Sequence, residues 1–164
     1  MQKRLALAAA VTAALLAVSG CTLGQRSNTG QQGRVGAPAD LSAANSPLGE
    51  IVVDADGMTV YVFDKDTAGT DSSACTDDCA KLWPPVTTTA EPIQIVDVPG
   101  TVGTITSAKG DTQLTLNGLP LYTYRPDARQ GDMTGQGVDH EWWAVRPSGE
   151  KITAPAPTPS PRGY

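Results

Sequence analysis

Two cysteines set four positions apart, Cys75 and Cys79, are the most chemically suggestive residues of this chain. Thiolates at that spacing can both reach one copper(I) ion, a soft metal that sulfur ligands favour. Met133 and His140, the only histidine, supply two further ligand types farther along the chain. In an exported protein the same pair is by default a disulfide. A separation of four places the α-carbons about 6 Å apart on a helical turn, within bridging range. The intervening Asp77 and Asp78 are acidic, thioredoxin-like strand order is missing, and no Cys-x-x-Cys-His for haem attachment occurs. The bridge is therefore the expected state, with no cofactor, and a copper site at Cys75, Cys79, Met133 and His140 is the alternative.

The second group able to do chemistry is a pair of tyrosines and a pair of aspartates, Tyr61 with Asp66 and Tyr122 with Asp127. Two carboxyls and two phenols are acid/base material, yet no nucleophile, electrophilic donor set or further charged group accompanies them. No residue is assigned a catalytic role, and the expectation is a non-enzyme. Each aspartate is expected to accept backbone donors and pin the turn where a strand becomes a loop. The sharper alternative makes them hydrogen-bonding partners of Tyr61 and Tyr122 in two equivalent pockets. Gly131 to Gly137 is glycine-spaced but opens no helix, so it is not a phosphate loop.

What must position these residues is a duplicated unit. Asp56-Gly-Met-Thr-Val-Tyr61-Val-Phe63-Asp-Lys-Asp66 is matched in register by Asn117-Gly-Leu-Pro-Leu-Tyr122-Thr-Tyr124-Arg-Pro-Asp127. Short β-rich runs bounded by Gly, Pro, Asn and Asp span 50–54, 59–63, 93–96, 101–107, 112–116, 119–124 and 142–146. Asp56-Gly57 and Asn117-Gly118 carry the signal of a two-residue hairpin turn, so each repeat reads as a hairpin, 51–63 and 112–124. Tyr61 and Phe63 share one face, as do Tyr122 and Tyr124, while Val60, Val62 and Leu121 face the other way. A tryptophan closes each unit, Trp83 before Pro84-Pro85 and Trp142 with Trp143 in the second. Both indoles are expected to pack beneath the opposite hairpin; the alternative is an exposed aromatic platform for a glycan, quinone or flat cofactor. The fold class is all-β, a small sandwich or open barrel with pseudo-twofold symmetry.

The ends differ in kind. Lys3 and Arg4, the apolar run 5–18 and the small residues before Cys21 have the form of a secretory signal, 1–20, too short to span a bilayer. Cys21, after an aliphatic and two small residues, resembles the lipobox cysteine of bacterial lipoproteins, which implies acyl chains on it; several chains give firm anchoring where one does not. Residues 21–47 form the lipidated N-terminus and a flexible tether poor in apolar residues. Residues 48–152 are the duplicated domain, with repeats at about 48–88 and 109–150, and 153–164 is a proline-rich tail. Loss of Lys3 and Arg4 takes the formal charge from −5 to −7. An acidic chain with no basic cluster excludes nucleic acid as a partner. The expected partners are the membrane, reached through the lipid rather than by surface charge, and an envelope protein or small ligand.

The repeated Tyr-x-aromatic-x-x-Asp phrase resembles the bacterial lipoproteins named for a Yx(FWY)xxD motif, also called the secreted repeat of unknown function. With it go the run from Cys75 to Trp83-Pro84-Pro85 and a lipobox in front. The resemblance covers Leu48 to about Pro147. It implies an extracytoplasmic location and repeat architecture, with no established activity and no catalytic residue to carry over.

Overall fold

The computed structural model describes residues 38–155. Cys21, the signal, most of the tether and the end of the proline-rich tail lie outside the described residues. Strand β1, Leu41–Ser46, pairs antiparallel with β2, Gly49–Asp54, from Leu41 opposite Asp54 to Ser46 opposite Gly49. β1 falls inside the stretch assigned to the tether, so the folded domain includes residues that composition gives to the tether. Its sequence, Leu-Ser-Ala-Ala-Asn-Ser, has one aliphatic anchor, Leu41, which is fully buried. The strand exists through its pairing rather than its own propensity.

β3, Tyr61–Phe63, follows a turn that differs from the one expected. Asp56-Gly57 does not form a two-residue loop. The Asp54 amide bonds the Met58 carbonyl, the Gly57 amide bonds the Asp54 carbonyl, and the Asp54 carboxyl accepts the amides of Asp56 and Met58. The loop is thus three residues with Gly57 alone at positive φ, +76°, the type I turn with a glycine bulge. Burial, chiefly, raises the Asp54 pKa above its ordinary value. The second turn matches expectation: Asn117 and Gly118 have φ of +51° and +80° between Leu116 and Leu119, which pair.

A short helix, α1, Asp77–Leu82, precedes Trp83, and a two-residue strand, β4, Ile95–Val96, runs parallel to β1. The second repeat follows as β5, Val102–Thr106, β6, Thr112–Leu116, and β7, Leu119–Pro120. A 3-10 turn at Val138–His140 leads into β8, Trp142–Ala144. The molecule is all-β with almost no helix, as the turn-punctuated sequence requires.

The two repeats are interlocked rather than juxtaposed. Tyr61 and Tyr122 exchange backbone hydrogen bonds, N to O distances of 2.8 and 3.0 Å, so the pseudo-twofold axis passes between them. On its other side β3 pairs with β8 from the second repeat, and Tyr122 pairs with Pro85 from the first. Each closing segment therefore completes the motif strand of the opposite repeat. Near it three chains close a ring of amides: Val52 bonds Val145, Val145 bonds Val60, and Val60 bonds Val52. Leu114, Val86 and Leu121 repeat that ring in the other half.

These six aliphatic residues, with Leu41, Val62, Val98 and Leu116, form one buried cluster. The opposite face of the same strands carries a second, aromatic cluster around Tyr61, Tyr122, Trp83 and Trp142. Alternation along β3 and its partner sends tyrosines to one core and valines or leucine to the other. β3 has no solvent face.

Candidate functional site

The motif residues converge in the aromatic cluster. Phe63, Trp142, Trp83 and Tyr124 make one continuous stack, with centroid separations of 4.1, 3.8 and 4.1 Å in that order. The two indoles are nearly coplanar in orientation, 2° apart. Tyr61 meets Trp83 edge-on at 5.4 Å, and Tyr122 meets Trp142 edge-on at 5.2 Å, the arrangement ring quadrupoles favour. Every stacking step joins one repeat to the other. Both tryptophans are 3% exposed and Phe63 8%, so the rings a flat ligand would need are closed off. Gly135 lies against them, where an added Cβ would sit 2.9 Å from both Trp83 and Tyr61.

The aspartates cross over in the same way. The Tyr61 hydroxyl donates to Asp127 Oδ2 at 2.7 Å, and the Tyr122 hydroxyl donates to Asp66 Oδ2 at 2.7 Å. Each carboxyl also holds its own following loop: Asp127 Oδ1 accepts the Thr134 amide and hydroxyl, and Asp66 Oδ1 accepts the Ala74 amide. The two readings of these aspartates, turn pinning and tyrosine pairing, are thus halves of one arrangement. Ser73 Oγ stands 2.6 Å from the Tyr122 oxygen, which is already donating to Asp66, so the serine supplies the proton of that contact. Ser73 and the buried Gln136, which bonds Ala144, Ile152 and Ala154, carry no signal in the sequence because their partners are distant or main-chain, and Thr134 carries none because it meets Asp127 across an irregular loop. The domain consequently runs to Ala154, slightly past its expected end at 152.

Electrostatics follow burial. Desolvation first, then the facing Asp127, holds the Tyr61 phenol far above its ordinary value, and desolvation does the same for Tyr122 despite Ser73. Burial also raises the Asp66 carboxyl, partly offset by the Ala74 amide and the Tyr122 hydroxyl. A phenol whose folded pKa is raised stabilises the fold below its unfolded pKa of about 10 and ceases to do so as pH rises beyond it. Alkaline titration should therefore show the Tyr61 and Tyr122 phenolate absorbance appearing together with loss of near-ultraviolet circular dichroism. Phenolate signal from these two in a still-native domain would contradict the burial argument.

Cys75 and Cys79 are joined, with α-carbons 5.2 Å apart. Cys75 precedes the helix instead of lying on its turn, and only Cys79 is within α1. Cys75 and Met133 are buried in the aromatic cluster, whereas His140 is exposed on the 3-10 turn. No group of three His, Cys, Asp or Glu residues suited to a metal occurs among the described residues. Trp143 is half-buried and donates its indole N–H to Asp64 at 2.9 Å. Among the described residues no buried side-chain nitrogen or oxygen lacks a partner.

Such a molecule is a tandem β repeat whose signature residues build the join between its halves. The chain belongs to the family described as the secreted repeat of unknown function, matched over residues 42–87 and 103–146. Those bounds enter at equivalent points of β1 and β5, so each repeat begins with the strand before its hairpin, earlier than the 48 and 109 expected. No curated protein and no solved structure matches the chain. The family's description gives an extracytoplasmic location and no activity.

Proposed function

We propose that this is an envelope protein held at the membrane by acyl chains on Cys21, whose β domain is a non-enzymatic scaffold for an extracytoplasmic protein or small ligand. The observation that carries the reading is the commitment of the Tyr61 and Tyr122 phenols and the Asp66 and Asp127 carboxyls to bonds within the fold. A catalytic pair needs an oxygen or nitrogen left to meet substrate, and Tyr61, Tyr122, Asp66 and Asp127 are occupied by one another. Copper is left out because the two sulfurs it would use are bonded together. Nucleic acid is left out because the chain is acidic, with a pI near 4.7.

Metabolic labelling with a palmitate analogue tests the anchor. Label should enter the natural chain and be absent from Cys21→Ser, which should leave the membrane fraction. An unlabelled natural chain, or a Cys21→Ser variant that stays with the membrane, would remove the lipid from this account.

A further inference from the structure

β5 is the outermost strand of its sheet, with β6 on one side and no strand on the other among the described residues. The Asn117 amide bonds the Thr101 carbonyl and the Ser107 amide bonds the Asp111 carbonyl, so odd-numbered residues from 101 to 107 face β6. Val102, Thr104 and Thr106 turn their amides and carbonyls outward. The equivalent edge of the first repeat, on β1, is paired with β4 at Leu41 and Ser42. Val102-Gly-Thr-Ile-Thr106 carries no lysine, proline or other charge, the devices that ordinarily keep an edge from pairing.

We propose that two copies of this chain join edge to edge through β5. Antiparallel pairing centred on Thr104 sets Thr104 against itself and Val102 against Thr106, so all three outward residues find a partner in a closed two-fold contact. Charge supports this occupant. Lys109 lies in the loop after the C-terminal end of β5. Glu150 lies in the turn fastened to the N-terminal end by Gly100 N–H to Pro147 O, 3.0 Å, and Asn117 Nδ2 to Ser148 O, 2.8 Å. Both are exposed, and among the described residues neither is in an ion pair. The two-fold brings each Lys109 to the end of the strand where the second copy carries Glu150, and complementary ends fix register.

The full chain carrying Thr104→Cys, treated with a short bis-maleimide, tests this against Thr106→Cys. Both positions are exposed. In the proposed register the 104 pair stands about 5 Å apart, while the two copies of residue 106 are separated by roughly 13 Å. Covalent dimer should form from Thr104→Cys, form at most weakly from Thr106→Cys, and be absent from the unsubstituted chain. Adding Lys109→Glu should lower the yield about tenfold, and adding Glu150→Lys as well should restore it. Equal yields at the two positions, no dimer at either, indifference to both charge changes, or capture of a different protein by Thr104→Cys would each overturn the proposal.

Discussion

Trp142→Ala should destabilise the domain by about 3 to 5 kcal/mol, the range for truncating a large buried aromatic. The ring is 3% exposed, stacked between Phe63 and Trp83, and met edge-on by Tyr122. Its removal takes one rung from the middle of the ladder, and the rings on either side belong to the opposite repeat. Collapse into the void is limited because Phe63 and Trp83 are fixed by β3 and by the chain before Pro84-Pro85. The melting temperature should fall by on the order of 15 °C for a domain of this size. Trp83→Ala should behave alike by symmetry, whereas Trp143→Ala, at a half-buried ring on the rim of the aliphatic cluster that bonds Asp64 and lies under Lys151, should cost less, about 1 to 2 kcal/mol. Thermal unfolding of the three variants checks the order; equal, small shifts at Trp142 and Trp83 would mean the stack bears no weight.

Cutting the chain between its repeats should abolish folding of both halves. In a 38–99 fragment β3 would lack β8, Tyr61 would lack Asp127, and Phe63 would lack Trp142. In a 100–155 fragment Tyr122 would lack both Pro85 and Asp66, and Tyr124 would lack Trp83. Neither half can close its backbone ring, because each ring takes one chain from the other repeat. Unpaired backbone and exposed rings then leave too little burial to offset chain entropy. Far-ultraviolet circular dichroism should show each fragment disordered alone and β-structured on mixing. A half that folds by itself would show that the repeats are independent domains.

Much of the architecture is legible in the chain because turn chemistry and period-two alternation act locally. Asn117-Gly118, the shared face of Tyr61 with Phe63, and the opposite face of Val60 and Val62 all follow from neighbours in sequence. What the residues do not announce is exchange between repeats. Nothing in Tyr61-Val-Phe63-Asp-Lys-Asp66 distinguishes a tyrosine bonded to its own aspartate from one bonded to Asp127, sixty-six positions away. β1 was hidden for a related reason: its strand state depends on Ile51, Val52 and Val53 opposite and on β4 beside it, not on Leu41-Ser-Ala-Ala-Asn-Ser46. The Asp56-Gly57 loop departs from its dipeptide signal because the Asp54 carboxyl caps the amides of Asp56 and Met58.

The central claim is that the motif aspartates and tyrosines hold the two repeats together instead of serving a reaction. A double-mutant cycle on Tyr61→Phe and Asp127→Ala, by denaturant unfolding, reaches it most directly. Coupling of about 1 to 3 kcal/mol is predicted for this cross-repeat pair. The same-repeat pair, Tyr61→Phe with Asp66→Ala, should add to within about 0.5 kcal/mol. Additive effects across the repeats, or coupling confined to Tyr61 and Asp66, would contradict the account.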